Sequence, residues 1–342
     1  MAISDEAYKP RYKEKPKKKE RGVKGLLPHK GDSKKEVVSK IIVLVSLVVL
    51  IVCGVILGIY FFEMYEAKQN HNTIQLIYQN AQTGIEETTQ AQTSYAEEEA
   101  ERQPLEYLPA AKELLEINKD TVGYVQIPDL MNEVVVQGSD NEYYLDHNFY
   151  GNQRQCGTVF ADYRCIINDY PDKMSDNITL YGHNQKDGTM FGTLDKYKWD
   201  YSYWLKNPFI YFDTNYEQGT YVIIASFVTN TKPEHDNGYV FDYQNYSKFQ
   251  DTGTYTYENF VKEITERSTI ITGVDVQKGD KFLTLSTCSY EWDEARHVIV
   301  ARKLRSGETE KSIDTTKFQK NPNPKWPAIY YKYNGGTYVE SN

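Results

Sequence analysis

Cys288 and Arg296, a thiol and a guanidinium eight positions apart, are the first groups in this sequence with the makings of a reaction centre. Cys288 closes an apolar, Thr-rich run, Phe282 to Thr287. A polar, acidic turn follows, and a β-branched run, Val298 to Ala301, begins just after Arg296. That order reads as strand, loop, strand, and two antiparallel neighbours joined this way hold thiol and guanidinium side by side. A cation fixed beside a cysteine favours the thiolate, which is the nucleophile. Acyl chemistry on such a thiolate also needs a proton donor for the leaving group and a stabiliser for the oxyanion.

Few residues can supply the proton. Of the six histidines, His29 precedes a long apolar run and His71 follows it closely. His183 ends the β-like run NITLYG and precedes the Gly-containing turn QKDGTMFG. A strand end exposes a side chain to a cleft, and Gly182 lets another segment approach closely. His297 adjoins Arg296 but alternates to the other face of its strand. His235 sits in the polar loop TNTKPEHDNG and reads as solvated. On spacing alone, an inert buried cysteine and a surface ion-pair arginine remain open.

These groups need a frame. From Thr121 onward the sequence is a series of short β-rich runs punctuated by turns: VGYVQI, EVVVQG, GTVFADY, NITLYGH, FIYFDT, TYVIIASFV, KFLTLSTC and RHVIVARKL. Eight such runs with one later helical stretch, YENFVKEITER (257–267), predict a mainly antiparallel β-barrel or sandwich. Ahead of them PLEYLPAAKELLEIN carries Leu108, Ala111, Leu114, Leu115 and Ile117 at helical spacing, which predicts a short amphipathic helix.

The net charge of -9 hides a basic block, with 13 Lys or Arg between Lys9 and Lys40. Directly after it Ile41 to Phe62 is 22 residues without a charge. As a helix that run extends roughly 33 Å, enough for a hydrocarbon core of about 30 Å. FFEMYEAKQN offers no small-residue cleavage site, so the run reads as an uncleaved signal anchor with its basic side in the cytoplasm. The expected order is a basic cytoplasmic tail (1–40), a transmembrane anchor (41–62), an extracellular Gln/Glu/Ala/Thr-rich stalk (63–104), a globular domain (105–306) and a C-terminal extension (307–342). The stalk's composition leaves helical and extended forms open, and no function attaches to the extension. The basic block's position beside the apolar run favours a membrane over nucleic acid. Cys156 and Cys165 could pair in an oxidising compartment or remain thiols. No metal and no other cofactor are expected, since paired C-x-x-C spacings, clustered oxygen ligands and a Gly-rich phosphate loop are all missing from the sequence.

TLSTC, followed eight residues later by Arg296 in a strand, resembles the active-site segment of sortases, the membrane-anchored cysteine transpeptidases of Gram-positive bacteria. Three further stretches resemble the class B branch: EYYLDHNFYGNQRQCGTVFADYR (142–164), NITLYGHNQKDGTMFGTLDKY (177–197) and YENFVKEITERS (257–268). The similarity runs from about Leu105 to Leu304. It implies an eight-stranded sortase-type β-barrel with an N-terminal helix and a helix in the connection before the Cys strand. It further implies Cys288 as nucleophile, His183 as general acid/base and Arg296 as the cation that holds the oxyanion or positions substrate.

Substrate contacts follow from the same resemblance. Ser286 lies two before Cys288 and on the same face, and Asn141 and Leu145 match an Asn and a Leu four apart that line the class B groove; a turn Asn and a core Leu fit these two equally well. The implied partners are exported proteins with a C-terminal sorting signal, cut at a Thr carbonyl, and a peptidoglycan-precursor amine as acceptor. A pilin-polymerising enzyme using a Lys of another protein, a hydrolytic cysteine peptidase, and a non-catalytic anchored wall-binding domain are the competing readings. The loop from Thr229 to Thr256, where signal specificity is expected, does not align.

Overall fold

A computed structural model describes residues 26–82 and 103–338, in two compact units that divide after Glu66. Residues 1–25 of the basic tail, 83–102 of the expected stalk and 339–342 of the extension lie outside the described residues.

The first unit is dominated by helix α1 (Lys34–Gln82), which runs on into the second. A reciprocal cap starts it: the Ser33 hydroxyl accepts from Glu36 N at 3.3 Å while the Glu36 carboxylate accepts from Ser33 N at 2.9 Å. From Ile41 to Phe62 its apolar side chains, Leu44 apart, are exposed, and α1 is long and apolar enough to cross a membrane. A helix apolar on every face is at home only in a buried or lipid setting.

In the second unit the last turns of α1 bury Ile74 and Tyr78, residues that the sequence assigns to a stalk. They pack with Ala110 and Leu114 of α2 (Pro109–Ile117) and with Tyr124, Val134 and Val136 of the first two strands. Tyr78 stacks on Tyr124 with ring centroids 3.7 Å apart.

The strands in chain order are β1 (Thr121–Ile127), β2 (Met131–Val136), β3 (Phe160–Ala161), β4 (Asn177–Tyr181), β5 (Phe209–Thr214), β6 (Thr220–Asn230), β7 (Ile270–Ile271), β8 (Phe282–Ser289), β9 (Ala295–Lys303) and β10 (Gln319–Lys320). Eight of them close a barrel in the order β1-β2-β3-β4-β8-β9-β6-β5, and β7 pairs separately with β10. The barrel strands are the eight runs read from the sequence, so the barrel holds and the sandwich does not. A helix, α5 (Tyr257–Arg267), lies in the connection before β8 as expected; Thr256 caps it by accepting from Asn259 N at 3.2 Å.

Two features depart from expectation. The β2–β3 and β4–β8 pairs are parallel, so the barrel is mixed. Alternating polarity marks which residues face inward and says nothing about a neighbour's direction. Short helices α3 (Lys196–Trp199), α4 (Tyr201–Lys206) and α6 (Ala328–Asn334) also add to the one later helix expected. They are too short to display a helical period; α4 shows itself by its cap, Asp200 accepting from Ser202 N at 2.9 Å.

Candidate active site

Every residue of β8 is buried except Cys288, which is half-buried. In β9 the corresponding break in burial falls on Arg296, and the antiparallel register sets Cys288 directly across from Arg296. The parity of two strands thus brings thiol and guanidinium to one spot on the barrel surface. Burial alone would weaken the Arg296 cation, but the Cys288 sulfur beside it and Glu294, which accepts from Nη2 at 2.9 Å, more than compensate, so its proton is held more firmly than usual.

On the other side of β8 lies β4, in parallel register with Tyr181 opposite Ser286. Two residues further along each chain stand His183 and Cys288. The chains stay in step past the end of β4: Gly182 N donates to Ser286 O (3.3 Å), Thr287 Oγ1 to Gly182 O (2.7 Å), and Asn184 Nδ2 to Cys288 O (2.9 Å). Gly182 is required here, since a Cβ would sit 2.8 Å from the Phe191 ring as the loop folds back. His183 is half-buried, and its Nε2 lies 2.7 Å from the carbonyl oxygen of Leu145. A carbonyl only accepts, so Nε2 carries the proton in this contact and leaves Nδ1 as the ring nitrogen not engaged by Leu145.

Ser286 is buried beneath this surface, bonded at 2.7 Å to the hydroxyl of Tyr243. Burial keeps the Tyr243 phenol in its neutral form. Tyr243 comes from the Thr229–Thr256 loop, and neither a motif nor a period marks it in the sequence. Leu145 reaches His183 through its carbonyl, while its side chain is 44% exposed and is not part of the core. Asn141 is held at both ends of its amide, donating to Asp162 (3.0 Å) and accepting from Tyr163 N (3.1 Å). Asp162 in turn accepts from the Tyr181 hydroxyl at 2.8 Å, two residues before His183.

The turn between Cys288 and Arg296 is tied down residue by residue. Buried Lys198 of α3 donates to Ser289 Oγ (3.0 Å) and Glu291 (2.6 Å) and pairs with Asp195 at 3.0 Å. Asp195 also accepts from Asn184 Nδ2 at 3.1 Å, which closes a loop of contacts around Cys288. Asp293 pairs with Lys232, and Glu294 O accepts from Thr231. His297 lies on the opposite face as predicted, buried and bonded to Ser226 at 2.8 Å, with its imidazole kept neutral by burial. Cys156 and Cys165 are thiols rather than a disulfide. Burial pushes Cys165 up to about 11, which makes it a poor nucleophile.

The sortase domain family matches residues 125–304. A sortase B of Listeria monocytogenes is 31% identical over 262 residues, covering 73% of this chain and 94% of that protein. Among solved structures, a Staphylococcus aureus sortase B–substrate complex aligns with a TM-score of 0.58 at 27% identity, over 71% of this chain and 99% of that one. A sortase B complexed with triglycine aligns with a TM-score of 0.56 at 26% identity, over 70% of this chain and 98% of that one.

Proposed function

This chain belongs to the class B branch of the sortase family of cysteine transpeptidases, and we propose that Cys288, His183 and Arg296 form its reaction centre. The observation that carries this reading is the direct cross-strand pairing of the half-buried Cys288 with Arg296. The Cys288 thiolate attacks the carbonyl carbon of a Thr in the sorting signal of an exported protein. Negative charge moves onto the carbonyl oxygen, where the Arg296 guanidinium stabilises it; Arg cannot surrender its proton near neutral pH and suits this role alone. Collapse of the tetrahedral adduct breaks the peptide bond, and the His183 imidazolium gives the departing amine its proton. The thioester that remains is attacked by an acceptor amine, whose proton returns to His183, and the thiolate leaves.

The carbonyl of Leu145 supports this role for His183 by fixing the ring through Nε2, so that Nδ1 exchanges the proton. Asn141 and the exposed Leu145 side chain are proposed to line the signal groove, with Ser286, bonded to Tyr243, forming its floor. A cell-wall amine is the acceptor favoured here, because a sortase B binds triglycine, a short peptide whose N-terminus is a primary amine. The apolar stretch of α1 with its basic flank supports a single membrane anchor with residues 1–40 in the cytoplasm and the barrel outside.

Mass spectrometry of the detergent-solubilised chain after incubation with candidate sorting peptides tests the reading. A thioester on Cys288 that disappears when an amine is added is expected. An adduct elsewhere, or turnover that persists in Cys288→Ala, overturns it.

A further inference from the structure

The sortase-domain match ends at residue 304, yet the chain beyond it packs against the turn that joins Cys288 to Arg296. Trp292, in the middle of that turn, is buried in a small cluster with Val228, Ala295 and Trp326. Trp326 comes from the extension and stacks on Tyr330 (centroids 4.2 Å) and on Trp199 of α3 (5.8 Å). Trp199 adjoins Lys198, whose ammonium holds the same turn through Glu291. Trp326 therefore shares a buried cluster with one support of the turn, Trp292, and stacks on the neighbour of the other, Trp199 of α3.

The extension's course is fixed by backbone contacts on either side of Trp326. β10 pairs with β7, Asn321 N donates to Thr269 O (2.9 Å), Lys325 N to Glu266 O (2.8 Å), and Ala328 N to the buried Asp236 carboxylate (2.9 Å). Ordering so long a segment costs conformational entropy, which the buried rings offset.

We propose that the extension is a positioning element of the acyl-transfer centre. Trp326, by backing Trp292, holds residues 290–295 so that the Arg296 guanidinium stays against Cys288. Ala295, the residue before Arg296, is itself a fully buried member of the cluster, so a shift of Trp292 passes directly to Arg296. This rests on the reading that Cys288 and Arg296 act together.

The test uses the full-length chain in detergent, with steady-state transpeptidation and thermal melting measured on each variant. Trp326→Ala is expected to lower kcat about tenfold or more with little change in KM, because a small displacement of a catalytic group is costly. Trp326→Phe is expected to restore most of the loss. In an Arg296→Lys background Trp326→Ala should cost much less than in the parent, as two changes acting through one group are not additive. If Trp326→Ala abolishes the melting transition, Trp326→Leu, which keeps bulk in the cluster, is measured in its place. Full kcat in the tested variant, or an equal cost in both backgrounds, overturns the proposal. If instead Cys288→Ala and Arg296→Lys both retain parent activity, the underlying reading of the site fails, whatever the Trp326 variants do.

Discussion

Asp162 and Asp213 are both buried carboxylates of one barrel, and their protons answer to opposite forces. Asp213, on β5 beside β1, sits where α1 and α2 cover the wall. Its partners among the described residues are the Tyr78 hydroxyl, Gln82, Gln218 and Gly219 N, none of them a cation. Burial dominates there and raises its pKa. Asp162 follows β3 on the side that carries His183. Burial raises it too, but Arg164 Nε and Nη2 at 2.8 and 2.6 Å, with the Arg164 N–H and the Tyr181 hydroxyl, outweigh burial and lower it. The covered side exhausts its polar groups on itself, whereas the network of the open side leads toward Tyr181 and the chain that bears His183. A small hollow lies on the covered side, lined by Tyr78, Leu114, Tyr124 and Asp213, with no member of the proposed reaction centre in its wall.

If the two sides divide labour in this way, variants should separate activity from stability. Cys288→Ala should reduce transpeptidation by roughly 10⁴-fold or more, as loss of a nucleophile does, with an unchanged urea midpoint. Arg296→Lys should lower kcat by about 10²-fold, the scale for an oxyanion donor; single-turnover acylation checks it, and parent-like acylation would remove Arg296 from the mechanism. Asp162→Ala strands Arg164 and should cost about 2 kcal/mol in urea unfolding, discounted from a fully buried pair because the Arg164 side chain is 33% exposed. Tyr78→Phe should cost only about 1 kcal/mol and leave kcat per folded molecule intact. A matching loss of kcat in Tyr78→Phe would break the division.

The sharpest contrast is in pH. The raised pKa of folded Asp213 means its contribution is fully present below the unfolded carboxylate value of about 3.9 and is lost as pH rises through the folded value. The lowered pKa of folded Asp162 makes its contribution present above about 3.9 and lost as pH falls through the folded value. Urea unfolding from acid to neutral pH should show Asp213→Asn removing a decline on the rising side and Asp162→Asn removing a decline on the acid side. The same slope change in both variants would mean that their neighbours do not differ as described.

Much of this molecule was legible in its sequence because the governing rules are local. A run of 22 uncharged residues, β-rich runs punctuated by turns and the parity that joins Cys288 to Arg296 each involve residues near in sequence. The mixed direction of the strands, the short helices after Asp195 and the docking of Ile74 and Tyr78 were not legible. Each depends on what arrives from elsewhere in the chain.

The approach of His183 to Cys288 marks the boundary most clearly. The sequence supplied both residue types, and the resemblance assigned their roles. The parallel pairing of β4 with β8 set them in step across about a hundred residues of chain. Tyr243 under Ser286 and Trp326 behind Trp292 were likewise decided only on folding. Side-chain alternation is fixed by the backbone of each strand, but which strands become neighbours is set by closing the barrel and burying its walls. That burial is a property of the whole chain and of no single segment.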